Sequence, residues 1–206
     1  MATTSKTGLI AALLVAIVAF ATPAAALDLT NVAFIQTSSH TTSIPVGALQ
    51  FCQSHQGECS PNKTIVPATV LTEQNWQQLV EVNAYYNQTV VPATDEQLYR
   101  VEEFWTYPNG YGDCEDFALA KRRDLIAAGW APSTLMIAVV RQPNGDGHAV
   151  LIARTDRGDM VLDNQAGTIN LWSDTPYHYI KRQSQANPAE WVDMIDDRVL
   201  MVAANN

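Results

Sequence analysis

Cationic residues are what this chain has least of. Among 206 residues there are twelve Lys and Arg against 21 Asp and Glu, a formal net charge of −9 with a pI near 4.7. A protein that grips a nucleic-acid backbone needs a basic face to displace counterions, so that class of partner is excluded. Cysteine is scarce too: three residues, an odd number that cannot all pair within one chain. Beyond the first 26 residues no run approaches the roughly 20 consecutive apolar residues that a membrane-spanning helix needs. Glycine-rich nucleotide loops, internal repeats and low-complexity tracts are also missing. The apolar fraction of 47% excludes wholesale disorder, and the length suits one domain.

What is present begins with an export pattern. Lys6 precedes an unbroken apolar run from Leu9 to Phe20, followed by Ala24-Ala25-Ala26, a small-residue site of the kind signal peptidase cuts. The expectation is a signal peptide over residues 1–26, a single domain over residues 27–206, and a periplasmic or secreted protein with no membrane span after cleavage. Such a compartment permits disulfides. Cys52 and Cys59 lie seven apart in a polar segment with Gly57 between them, so closing that short loop is the simplest pairing and leaves Cys114 a free thiol. The rival, a metal held by Cys52, His55 and Cys59, lacks a fourth ligand.

The segment from Asp28 to Val70 reads as loops with at most a short strand. Thr72 caps a helical pattern running to Asn87, and Thr94 with Gln97 forms a capping box that starts another helix. After the turn cluster at residues 107–112, a helix is expected from Cys114 to Ala128, ended by Gly129. The period then changes. Strands are expected over residues 135–141, 148–155, 160–163 and 177–182, with turns at Pro143 to Gly147 and at Arg157-Gly158-Asp159. The last is a hairpin turn rather than an adhesion signal. Helices first and an antiparallel meander after them make an α+β layout.

Chemistry concentrates at three element ends. Cys114 lies where a glycine-rich turn hands over to a helix, and the free amides and dipole there favour a thiolate, the attacking form of a cysteine. His148 opens a strand after a glycine-rich turn, and Asp163 closes the next strand, fifteen residues on. Antiparallel neighbours can bring these ends together, so that Asp163 holds one imidazole nitrogen while the other faces the sulfur, the logic of a nucleophile–base–orienter triad. Three acids, Asp113, Glu115 and Asp116, surround the nucleophile. Their charge opposes thiolate formation, and a hard cation that takes six to eight oxygens, such as Ca²⁺, would cancel that repulsion. His40, His55 and His178 lack partners at useful spacing, and the Asn62 and Asn87 sequons are inert in a bacterial source. Trp76, Trp105 and Trp130 read as core or pocket wall.

The blocks Gly112-Asp113-Cys114-Glu115-Asp116-Phe117-Ala118-Leu119-Ala120-Lys121, Gly147-His148-Ala149-Val150-Leu151 and Val161-Leu162-Asp163-Asn164 resemble the bacterial transglutaminase-like cysteine proteinases, a family that includes the LapG-type periplasmic proteases. The resemblance spans roughly Trp76 to Arg182. It implies a papain-like or transglutaminase-like fold in which N-terminal helices, one bearing the cysteine at its N-terminus, pack on an antiparallel sheet bearing His and Asp. It carries the catalytic triad onto Cys114, His148 and Asp163, and it implies calcium at the flanking acids. A protein substrate is implied, such as a cell-surface adhesin, and with it a regulatory receptor. Relatives often have a larger residue after the His, where this chain has Ala149. Two other readings share the fold: transglutaminase-type acyl transfer to an amine, which a labelled amine would report, and a non-catalytic binding module, in which Cys114 would react no faster than a free thiol.

Overall fold

A computed structural model describes Met1 and residues 33–198. The expected signal peptide and both ends of the expected domain lie outside the described residues. The elements in chain order are β1 (Gln36–Thr42), α1 (Val46–Ser54), α2 (Glu73–Thr89), β2 (Val91–Pro92), α3 (Asp95–Tyr99), β3 (Tyr111–Gly112) and α4 (Cys114–Ala127). Then follow β4 (Leu135–Arg141), β5 (Gly147–Thr155), β6 (Gly158–Leu162), β7 (Asn170–Leu171), β8 (His178–Gln183) and β9 (Trp191–Ile195).

Local chemistry explains where the helices start. The Thr72 hydroxyl accepts from the Asn75 amide while Asn75 returns a bond to the Thr72 amide, and Thr94 and Gln97 repeat that exchange at α3. Each exchange satisfies two amides that a helix N-terminus otherwise leaves orphaned. Helix α4 ends as Gly129 takes a φ of +100°, a conformation suited to glycine.

The strands form one antiparallel sheet of order β1-β9-β8-β4-β5-β6-β7, and β2 and β3 make a separate parallel pair. From β4 to β7 the chain meanders as expected. It then crosses to the far side of β4, where β8 pairs, so the complete sheet is not a simple meander. Two corrections belong to the ends of the chain. The segment before Val70 contains the helix α1, and β1 and the unforeseen β9 pair to form one flank of the sheet. Strand β1 is rich in Ser and Thr and mostly exposed, so its own sequence carries no apolar alternation to announce it.

The central strands are apolar on both faces. Ala149, Leu151 and Ala153 of β5 point to one core with Ala118, Leu119 and Leu125 of α4, whereas Val150 and Ile152 point to a second core with Tyr177, Tyr179 and Met194. Burial on both sides is why β4 and β5 read as nearly continuous apolar runs. Helix α4 is sandwiched between β5 and α2. Cys52 and Cys59 are joined in a disulfide, and Cys114 is free.

Candidate active site

Cys114 is the first residue of α4, directly after the turn through Gly112 and Asp113. Its Sγ lies 3.3 Å from the Ala149 amide of β5, which donates to it, and 3.2 Å from Glu115 Oε2, to which the thiol donates. The packing of α4 on β5 therefore fixes the sulfur beside the residue that follows His148. His148 lies at the start of β5, 4% exposed. Its Nε2 is 2.9 Å from Asp163 Oδ1, and its Nδ1 is 3.5 Å from the Gln165 amide nitrogen.

Register explains the His–Asp meeting. Leu151 pairs with Leu162 across β5 and β6, so Asp163 falls level with Val150 and diagonal to His148 on the same face. Four groups orient the Asp163 side chain and its turn. Oδ1 accepts from His148 and from the Gln165 backbone amide, Oδ2 accepts from the Tyr177 hydroxyl, and the Asp163 carbonyl accepts from Asn87 Nδ2 at 2.8 Å. Burial works against the Asp163 carboxylate, but the bonds from His148, Tyr177 and Gln165 prevail and hold it below the ordinary carboxylate range.

Cys114 and His148 together line two cavities. The larger, about 450 Å³, has walls of Pro45, Val46, Trp105 and Val139 with Glu103 and Lys181 at hand. The smaller, about 260 Å³, is lined by Thr94, Gln97, Gln142, Asn164 and Gln165. A still larger cavity of about 820 Å³ opens between the disulfide loop, Arg122 and Pro132, and neither Cys114 nor His148 reaches it.

The electrostatics at Cys114 run opposite to what a helix N-terminus alone implies. Burial, then the charge of Glu115, push the thiol well above its ordinary value, and the Ala149 amide only partly offsets them. Burial together with Asp113 pushes Glu115 itself up to about 9. The helix-dipole argument correctly places the sulfur, and the burial that accompanies the fold outweighs it.

The acids divide into two groups. A carboxylate oxygen from each of Asp95, Asp113 and Asp116 lies within 4.8 Å of the other two. Glu115, expected with them, is not one of these three: it accepts from the Cys114 thiol and its side chain also meets Asp113, while Asp95 of α3 joins the cluster. Each of the three holds one oxygen on a backbone amide: Asp95 accepts from Phe104, Asp113 from Asp95 and Asp116 from Thr106. Each also keeps one buried oxygen without a partner, Oδ1 of Asp95, Oδ1 of Asp113 and Oδ2 of Asp116. Buried acceptors are normally satisfied, so three clustered carboxylates that each keep an orphaned oxygen fit a hard, oxygen-seeking cation. Burial raises all three, Asp116 to about 7, and nearby charge adds to it: Asp113 at Asp95, Asp113 and Asp95 at Asp116, and Glu103 at Asp113. Asp95 escaped the sequence reading because it lies 18 residues from Asp113, inside a capping-box helix where an acid is ordinary.

Tyr177, Gln165 and Asn87 also bear on the site and carried no sequence signal of their own. Trp105 forms cavity wall as expected, edge-on to Trp191. His55 stacks on Phe51, away from Cys114.

The family model described as bacterial transglutaminase-like cysteine proteinase matches residues 38–199. No curated protein matches the chain. Among solved structures the chain is similar to LapG of Legionella pneumophila. With the EGTA-treated form it shares 27% identity over 61% of this chain and 70% of that one, at a TM-score of 0.50. With the calcium-bound form the identity is 27% over 52% and 64% of the two chains, at a TM-score of 0.48. The match thus spans just under two thirds of the calcium-bound LapG chain.

Proposed function

The chain belongs to the bacterial transglutaminase-like cysteine proteinases, and from that premise we propose that it is an exported cysteine endopeptidase working through Cys114, His148 and Asp163. The observation that carries the reading is the double anchoring of β5: Ala149 N–H on the Cys114 sulfur and His148 Nε2 on Asp163. With Nε2 committed to Asp163, Nδ1 is the nitrogen left to take the thiol proton. Cys114 Sγ then attacks a peptide carbonyl, and amides at the start of α4 receive the developing oxyanion. The intermediate collapses as the C–N bond breaks and His148 returns the proton to the leaving amine. Water, deprotonated by His148, releases the acyl group and regenerates the thiol.

Asp95, Asp113 and Asp116 are proposed as calcium ligands, a reading supported by their orphaned oxygens and by the calcium-bound form of LapG. Bound calcium supplies positive charge that offsets the carboxylates beside Cys114. The substrate class is an extended segment of a protein, such as a cell-surface adhesin, and a receptor that sequesters the protease is part of the same proposal. Export rests on the Leu9 to Phe20 run and the alanines after it. The test compares outer-membrane and secreted proteins, by mass spectrometry, from cells carrying the wild type or Cys114→Ala. A fragment seen with the wild type alone supports the reading and names the target. Identical patterns, with an equally expressed protein, overturn it.

A further inference from the structure

Lys121 lies in the middle of α4, fully buried, and among the described residues it has no salt-bridge partner. Its Nζ donates to Asn83 Oδ1 at 2.8 Å and lies 5.7 Å from the centre of the Phe117 ring. An ammonium without a counter-ion is an expensive core residue, and an apolar side chain of similar volume would pack the same space without that cost. Burial lowers Lys121 to about 7, and the charge that pulls it back up is Asp163. Asn83 itself is 1% exposed, in the interior of a helix that asparagine does not favour.

One turn further along α2 stands Asn87, on the same helix face as Asn83. Its Nδ2 donates to both the Asp163 carbonyl at 2.8 Å and the Ala166 carbonyl at 3.1 Å, spanning the turn that leaves β6. Its Oδ1 is buried without a partner, so the side chain is held there by what it donates. The same turn carries the Gln165 amide that binds Asp163 Oδ1. Two asparagines of α2 therefore touch, on one side, the lysine of the helix that begins with Cys114 and, on the other, the turn that carries Asp163.

We propose that Asn87 is a positioning residue that acts through Asp163. Asn87 clamps the turn from Asp163 to Ala166, and so sets the His148–Asp163 pair against the helix that bears Cys114. The proposal rests on the Cys–His–Asp reading above.

The test uses Asn87→Leu, which removes the polar group at nearly constant volume. Two quantities are read in the folded protein: the NMR resonance of the His148 Nε2 proton shared with Asp163, and the iodoacetamide alkylation rate of Cys114 at pH 7. The resonance is expected to shift upfield in the variant. Alkylation should fall about tenfold or more, a fraction of what a positioned general base contributes. A merely structural role would lower Tm and leave both readings in place. An unmoved resonance with alkylation within twofold of the wild type overturns the proposal. Should the leucine not be accommodated, Asn87→Ala decides, since that side chain is only half-buried. Wild-type alkylation that His148→Ala leaves unchanged would instead overturn the Cys–His reading, and the resonance would still judge the positioning.

Discussion

His148 Nε2 lies 2.9 Å from Asp163 Oδ1, and both side chains are almost wholly buried. The bond selects the tautomer with the proton on Nε2 and leaves Nδ1 an acceptor, met only by the distant Gln165 side-chain amide at 3.5 Å, which is the state a general base needs. Asp163→Asn keeps the shape but can present an N–H to Nε2, favouring the wrong tautomer. The expected result is a fall in kcat on the order of 10³–10⁴ with KM nearly unchanged. A loss confined to KM would show that Asp163 shapes the substrate cavity instead.

Without calcium the acid cluster makes stability depend on pH in an unusual direction. The Asp116 carboxyl is raised by burial, and by Asp113 and Asp95, to about 7. A group with a raised folded pKa contributes stability that is fully present below its unfolded value and is lost as pH rises through the folded one. In EGTA, Tm should therefore drop between pH 5 and pH 8. In calcium the drop should shrink, because the cation stabilises the ionised carboxylates and proton release accompanies binding. Differential scanning calorimetry in the two buffers checks this, and parallel curves would count against the site.

Gly112 is needed for its lack of a side chain. A Cβ placed there would lie 2.8 Å from Asp116 Oδ2 and 2.9 Å from Asp116 Cβ. Gly112→Ala should displace that carboxylate and weaken calcium binding by about 10-fold to 100-fold, the usual cost of disturbing a group that supports a metal ligand. Isothermal titration with calcium measures it. An unchanged Kd would remove Asp116 from the ligand set.

The Cys52–Cys59 bridge closes a short loop, with a sequence separation of seven. Loop-closure entropy for that length is worth about 2–3 kcal/mol. Replacing both cysteines by serine should lower Tm by roughly 5–10 °C for a chain of this size. The thermal midpoint of the double variant tests it, and a shift under about 2 °C would mean that the reduced loop is already ordered by its contacts, including Glu58 with Arg122.

The elements that could be read along the chain are those whose signal is local. Thr72 and Thr94 announce α2 and α3 through hydrogen bonds made within three residues. The strands β4 and β5 announce themselves because both their faces are buried, so apolar residues follow one another without a break. Helix α1 has no side-chain cap and follows Pro45, and it went unread. The sequence allows a short strand before Val70, but the place of β1 and the whole of β9 went unread, because an exposed or polar strand is defined by its partner, and Gln36–Thr42 pairs with the distant Trp191–Ile195.

Sequence alone determined the placement of the cysteine at a helix start, the histidine at a strand start and the aspartate at a strand end, and made Cys114 the simplest cysteine to leave unpaired. These follow from turn chemistry, periodicity and the count of cysteines, each of which acts over a few residues. Tertiary structure alone decided which acids converge, bringing Asp95 to Asp113 and Asp116 and turning Glu115 to the sulfur. It also decided that burial outweighs the helix dipole at Cys114, and that Tyr177, Gln165 and Asn87 hold Asp163. Side-chain direction and desolvation depend on how helices and sheet pack, and packing joins residues that the chain keeps far apart.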